Sequence, residues 1–158
     1  MMFLVTVLLS FFIANSVACV TFTPSAHLEG GDPRAVFYAA KQVLTTWDPS
    51  HSNSHVKDGF VFDNGRLRVP VGGRYYVYSQ LYFNSTPQVS YNRVAVYAGN
   101  RLLLMIQKDM RPSVEQTGFS GGVFSLKEGD LIYVKVIGGS PTKMWLGPHH
   151  SYFGAYVI

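Results

Sequence analysis

Cysteine is nearly missing from this sequence: Cys19 is the only one in 158 residues. No disulfide can form within the chain and no zinc site can be built on clustered cysteines, so stability must come from core packing and association. Repeats are missing too. There is no Gly-X-Y stretch, no heptad run long enough for a coiled coil, no period of solenoid length and no low-complexity tract. Charge is sparse, at 14% Asp, Glu, Lys and Arg. The formal net charge of +4 is spread along the chain rather than gathered in a run, which argues for mild attraction to acidic surfaces and against nucleic acid.

The signatures of common catalytic sites are also lacking. No nucleophile elbow, phosphate-cradling loop or dinucleotide fingerprint occurs, and the glycines of GGDP and VGGR stand outside the strand-loop-helix context such loops need. Glu128 and Asp130 flank Gly129 in a turn, while Asp58, Asp63 and Asp109 are scattered over other loops. Of the five histidines, His149 and His150 precede the last strand and His51 and His55 share another loop, a pattern that reads as solvated loop rather than metal site. The expectation is a protein that is not an enzyme and needs no cofactor or metal.

Hydrophobic residues make up 47% of the chain and aromatics 15%, enough for one well-cored domain. Residues 1–18 carry no charged side chain and end in Ser16-Val17-Ala18, whose small outer residues suit a signal-peptidase cut. A second reading extends the apolar run through Phe22 as a membrane anchor, and a third is a truncated gene product. The tripeptide Asn84-Ser85-Thr86 is an N-glycosylation sequon directly after a strand, which fits a loop exposed outside the cell.

Strand signals dominate the remainder. Ser25–Glu29 alternates, and Gly59–Pro70 reads as two brief strands around an Asn64-Gly65 turn. A long strand follows over Gly72–Phe83. Asn92–Gln107 gives two strands around Gly99-Asn100, Gly118–Gly139 two more around Glu128-Gly129-Asp130, and the C-terminal SYFGAYVI a last one. Such spacing predicts an all-β sandwich or barrel. The single helix-compatible run is Asp32–Leu44, with Pro33 placed as in a first helical turn; a long ordered loop is the other reading of that segment.

Two strands carry bulky residues on both faces. By parity, Tyr76, Tyr78, Gln80 and Tyr82 point one way and Tyr75, Val77, Leu81 and Phe83 the other; Tyr152, Gly154 and Tyr156 oppose Phe153, Ala155 and Val157. A surface strand of a soluble β-protein needs one apolar face only, so something must cover the second. The paired Gly121 and Gly122 permit a bulge that would bring Phe119 and Phe124 onto one face.

Four blocks, PSAHLEG, LRVPVGGRYYVYSQLYF, GGVFSLKEGD and SYFGAYVI, occur in an order that resembles the tumour necrosis factor (TNF) ligand superfamily over residues 24–158. The resemblance implies a ten-stranded jelly roll that forms a homotrimer, with Tyr75, Val77 and Leu81 in the core. It implies a trimer interface of Tyr76, Tyr78, Phe119, Phe124, Tyr152 and Tyr156, and a structural role for His27. It further implies a secreted cytokine that clusters cysteine-rich receptors in grooves between subunits, with Tyr97, Arg34, Lys41, Lys108 and Arg111 as receptor-facing candidates. The alternative is a complement-head-like trimeric recognition module, which lacks the YSQLYF ending and usually follows a collagen stretch. A basic cytoplasmic segment before a clear anchor and the paired cysteines of many members are both missing here.

Overall fold

The computed structural model describes residues 22–84, 91–109, 114–138 and 141–158. In chain order its strands are β1 (Ser25–Gly30), β2 (Ala35–Tyr38), β3 (Trp47–Asp48), β4 (His55–Lys57), β5 (Val61–Asp63), β6 (Arg66–Arg68), β7 (Gly73–Phe83), β8 (Tyr91–Ala98), β9 (Arg101–Asp109), β10 (Gln116–Leu126), β11 (Leu131–Gly138), β12 (Thr142–Trp145) and β13 (Tyr152–Val157). They form two antiparallel sheets packed as a jelly-roll sandwich. The larger has the order β2-β12-β7-β13-β1-β3, with β10 also paired to β7 and β4 to β1; the smaller has the order β5-β6-β11-β8-β9. The extra strands over the expected ten are pieces of two to four residues in the segments that flank β1.

Alternation builds the core. On β7, Tyr75, Val77, Leu81 and Phe83 are fully buried, and Phe153 and Ala155 on β13 and Leu28 on β1 continue that layer. Leu67, Val94, Val96, Ile106, Ile132, Val134 and Val136 face them from the smaller sheet. Trp47 packs on Phe153 at 4.7 Å, its indole N–H donating to the Leu44 carbonyl at 2.9 Å. Tyr75 is buried with its hydroxyl donating to the Val71 carbonyl at 2.8 Å, so the polar end of the ring is satisfied.

Turn chemistry holds the register. Asn64 and Gly65 have φ of 43° and 77°, the left-handed pair that a two-residue hairpin between β5 and β6 requires. Gly65 is doubly constrained, since a Cβ there would lie 2.4 Å from the Leu44 carbonyl oxygen.

In two places the structure departs from the sequence expectation. The segment Asp32–Leu44 holds a strand, β2, at the edge of the larger sheet, paired with β12. Asp32 Oδ1 accepts the Arg34 N–H at 3.1 Å in a local turn, instead of capping a helix, and Tyr38 alone of the four residues is buried. The expected bulge at Gly121-Gly122 is also not formed. The β7–β10 ladder runs without a break from Phe83↔Gln116 to Gly73↔Leu126, so Phe119 faces out and Phe124, opposite Tyr75, packs against the core. Phe124 is therefore not part of the outer face, because an unbroken ladder keeps residues five apart on opposite sides.

Candidate functional site

The site is the outer face of the larger sheet, where β10, β7, β13, β1 and β4 lie side by side. Register aligns the rings: Tyr152 opposes Gln80, Gly154 opposes Tyr78 and Tyr156 opposes Tyr76 across β7–β13, while Phe119, Gly121 and Val123 oppose Gln80, Tyr78 and Tyr76 across β7–β10. On the other flank of β13, His27 opposes Gly154, and His55 of β4 opposes His27.

These side chains form one contiguous patch. Tyr76 stacks on Tyr78 at 5.9 Å and packs against Tyr156 at 5.5 Å; Tyr78 meets Tyr152 at 6.2 Å. His27 sits against Tyr78 at 5.8 Å and Tyr152 at 5.2 Å, with His55 stacked 6.3 Å away. Phe119, Val123 and Tyr156 are 54%, 45% and 44% exposed, a large apolar area for a chain to leave in water. Two glycines make room for the rings. A Cβ on Gly121 would lie 2.4 Å from the Tyr76 hydroxyl, and one on Gly154 would lie 2.6 Å from the Tyr78 hydroxyl and 2.3 Å from the Ala26 carbonyl oxygen.

Beneath the rings runs a polar chain. The Tyr78 hydroxyl and His27 Nδ1 are 2.8 Å apart, and His27 Nε2 lies 3.4 Å from Glu29 Oε1. Glu29 is buried, and its Oε2 accepts the His149 backbone N–H at 2.7 Å. Burial works to raise the Glu29 carboxyl, but hydrogen bonds from the His149 backbone, His27 and Asn53, with the charge of His27, outweigh it and hold the group below its ordinary value. The Tyr78 hydroxyl is pushed up to about 12, first by burial and then by the neighbouring acidic groups. It stays protonated at neutral pH and donates to His27 Nδ1, which leaves His27 Nε2–H to donate to Glu29. Tyr152 donates to Gln80 Oε1 at 3.0 Å, and Gln80 Nε2 donates to the His150 carbonyl at 3.2 Å.

At one end of the same face, Trp145 stacks on His150 at 4.3 Å and Tyr82 abuts both rings. Of the four histidines expected in solvated loops, His55 lies in a strand and His150 in this stack, while His51 and exposed His149 remain in loops and contact each other edge-on at 5.3 Å. Among the described residues no group of three or more His, Cys, Asp or Glu side chains is placed to hold a metal ion.

Of the six interface candidates, Tyr76, Tyr78, Phe119, Tyr152 and Tyr156 come together on this face and Phe124 does not. The receptor candidates do not cluster. Arg34 and Lys41 are exposed on either side of the edge strand β2; Lys108 is half-buried on the other sheet's edge strand β9. Tyr97 lies in β8 rather than at the tip of its turn, stacked on Tyr133 at 5.6 Å with Lys135 Nζ 5.7 Å from the ring centre. Arg111 lies outside the described residues. At the sequon, Asn84 Nδ2 donates to Glu115 Oε1 at 2.6 Å, and Glu115 Oε2 accepts the Tyr82 hydroxyl. Sequence reasoning missed Glu29, His55, Gln80 and Val123. The first was readable, since in SAHLEG the alternation that buries Ala26 and Leu28 puts His27 and Glu29 together on the opposite face.

A two-sheet jelly roll whose outer face is a field of rings and glycines offers a surface suited to binding and assembly. Residues 45–158 match the TNF (Tumour Necrosis Factor) family, more than half of the chain, and the protein belongs to that family as a TNF-like cytokine. Similar curated proteins include lymphotoxin-alpha of Homo sapiens, 29% identical over 155 residues, and of Bos taurus, 30% identical over 155 residues. The matches span 87% of this chain in both cases, and 71% and 72% of the respective relatives. Among solved structures, Eiger TNF from S. frugiperda aligns with a TM-score of 0.73 at 19% identity, over 87% of this chain and 94% of that one. Murine APRIL at pH 5.0 aligns with a TM-score of 0.64 at 23% identity, over 86% and 99%. These likenesses support the fold, and the complement-head alternative is not favoured by the relatives found.

Proposed function

We propose that this chain is a secreted homotrimeric cytokine that binds and gathers cysteine-rich receptors of the TNF-receptor type. The observation that carries the reading is the outer aromatic face, where five of six expected interface residues lie beside exposed Val123. A large aromatic removes roughly 150–250 Å² from water when covered, so three copies closing on these faces gain a strong apolar driving force. Threefold symmetry then sets equivalent grooves around one axis, and one ligand holds several receptor chains at high effective concentration.

Arg34, Lys41, Tyr97, Lys108 and Arg111 are the receptor-facing candidates in this reading. The positive charge of Arg34, Lys41, Lys108 and Arg111 speeds encounter with an acidic receptor module more than it deepens affinity. Residues 1–18 act as a cleaved leader and Asn84 carries a glycan on Nδ2, the atom that donates to Glu115. The test is binding of immobilised cysteine-rich receptor ectodomains by the secreted protein, with bound stoichiometry read by light scattering. Three receptor chains per assembly support the reading; a trimer that binds none of the family's ectodomains removes the signalling half of it.

A further inference from the structure

A stacked pair of histidines flanks the aromatic patch on the candidate assembly face. His27 and His55 are directly opposed on β1 and β4, their rings 6.3 Å apart and 20° from parallel. The groups facing them are known from every neighbouring element. Glu29 lies along β1, Tyr78 comes from β7 and Tyr152 from β13, while Lys57 follows His55 on β4. Beyond Glu29 are the His149 backbone and Asn53, with His51 behind them.

Among the described residues Glu29 is the one carboxylate that contacts the pair. One of its oxygens is already taken by the His149 backbone N–H, leaving the other for His27 and for a long contact to Asn53. A single imidazolium can be balanced there. A second, stacked on the first and two residues from the Lys57 ammonium, cannot. In the lone subunit, water screens this excess; in an assembly that covers the face, it does not.

We propose that the His27–His55 pair is an acid-operated release for the subunit interface, holding the assembly closed at neutral pH and opening it when the stacked pair would have to carry a second positive charge. The inference rests on the reading of this face as the trimer contact. Burial, with the charges of His27 and Lys57, pushes the His55 imidazole below its ordinary 6.5, which fits a ring kept neutral in the folded chain. The sign follows: a histidine held neutral in the closed state costs free energy to protonate, so association weakens as pH falls through the depressed range in which His55 takes up its proton in the separate subunit.

The test is sedimentation equilibrium of the full chain expressed in a secretory host, at pH 7.5 and pH 5.5, for the native protein, His55→Gln and Lys57→Gln. The native dissociation constant is expected to rise about tenfold or more at the lower pH, the change that one unit of pKa difference gives. His55→Gln is expected to flatten that rise to about threefold or less. Lys57→Gln keeps both rings but removes the cation that opposes a second imidazolium in the closed state, and is expected to shrink the native rise, so it remains informative if His55→Gln fails to fold. A native trimer equally tight at both pH values overturns the release and leaves the trimer standing, as does an unchanged pH response in His55→Gln or, if that variant does not fold, in Lys57→Gln. A monomer at pH 7.5 overturns the trimer itself.

Discussion

The Tyr78 hydroxyl lies 2.8 Å from His27 Nδ1, linking a ring on the outer face of β7 to the buried carboxylate of Glu29 on β1. Ring and hydroxyl thus do separate work, the ring covering the outer face and the hydroxyl fixing the angle at which it is offered. Tyr78→Ser removes both. It is expected to weaken self-association by on the order of 2 kcal/mol or more, as for a buried aromatic hot spot, with the circular dichroism of the subunit unchanged. Tyr78→Phe keeps the ring and loses less, which sedimentation of the two variants compares directly.

Gly154→Ala is expected to damage the fold rather than the assembly alone. Its Cβ would lie 2.3 Å from the Ala26 carbonyl oxygen, backbone that cannot move without opening the β1–β13 ladder. Thermal melting checks this: a melting temperature equal to that of the native chain contradicts the close approach.

Phe119 and Phe124 should separate cleanly despite their shared chemistry. Phe124 packs on the core opposite Tyr75, so Phe124→Ala costs the subunit about 2–3 kcal/mol in denaturant unfolding. Phe119 is 54% exposed in the single chain, and Phe119→Ser is expected to leave subunit unfolding unchanged while raising the dissociation constant of the assembly.

Acid should act on the subunit through Glu29 as well. A carboxyl whose folded-state pKa is depressed contributes stability that is present above its unfolded value and lost as pH falls through the folded one. Melting temperature is therefore expected to drop below about pH 4.5, the ordinary value for this group, and Glu29→Gln to remove that portion of the drop at a cost in neutral stability. A native melting curve flat from pH 5 to pH 3 contradicts the arrangement.

Alternation makes most of this fold legible in the sequence. Parity picks out the two-faced strands β7 and β13, and the Asn64-Gly65 dipeptide, whose φ values few other pairs adopt, marks the hairpin. What parity does not carry is pairing. Whether Gly121-Gly122 forms a bulge depends on the β7 partner, whose ladder runs straight through, and this decided the fate of Phe124. The strand β2 was hidden for a related reason: Asp32-Pro33 suits a helix start and a turn alike, and only pairing with β12 selects the strand. Loops hid the histidines. His55 becomes half of a stacked pair through a β1–β4 contact that spans residues 25–57, beyond any local pattern.

In this reading the outer aromatic face is covered by other copies of the chain. Light scattering of the secreted protein at micromolar concentration and pH 7.5 tests it most directly. The expected particle mass is three times that of a single chain, whose full length is 17.6 kDa. A particle of single-chain mass, with Phe119, Val123 and Tyr156 left in water, contradicts the account.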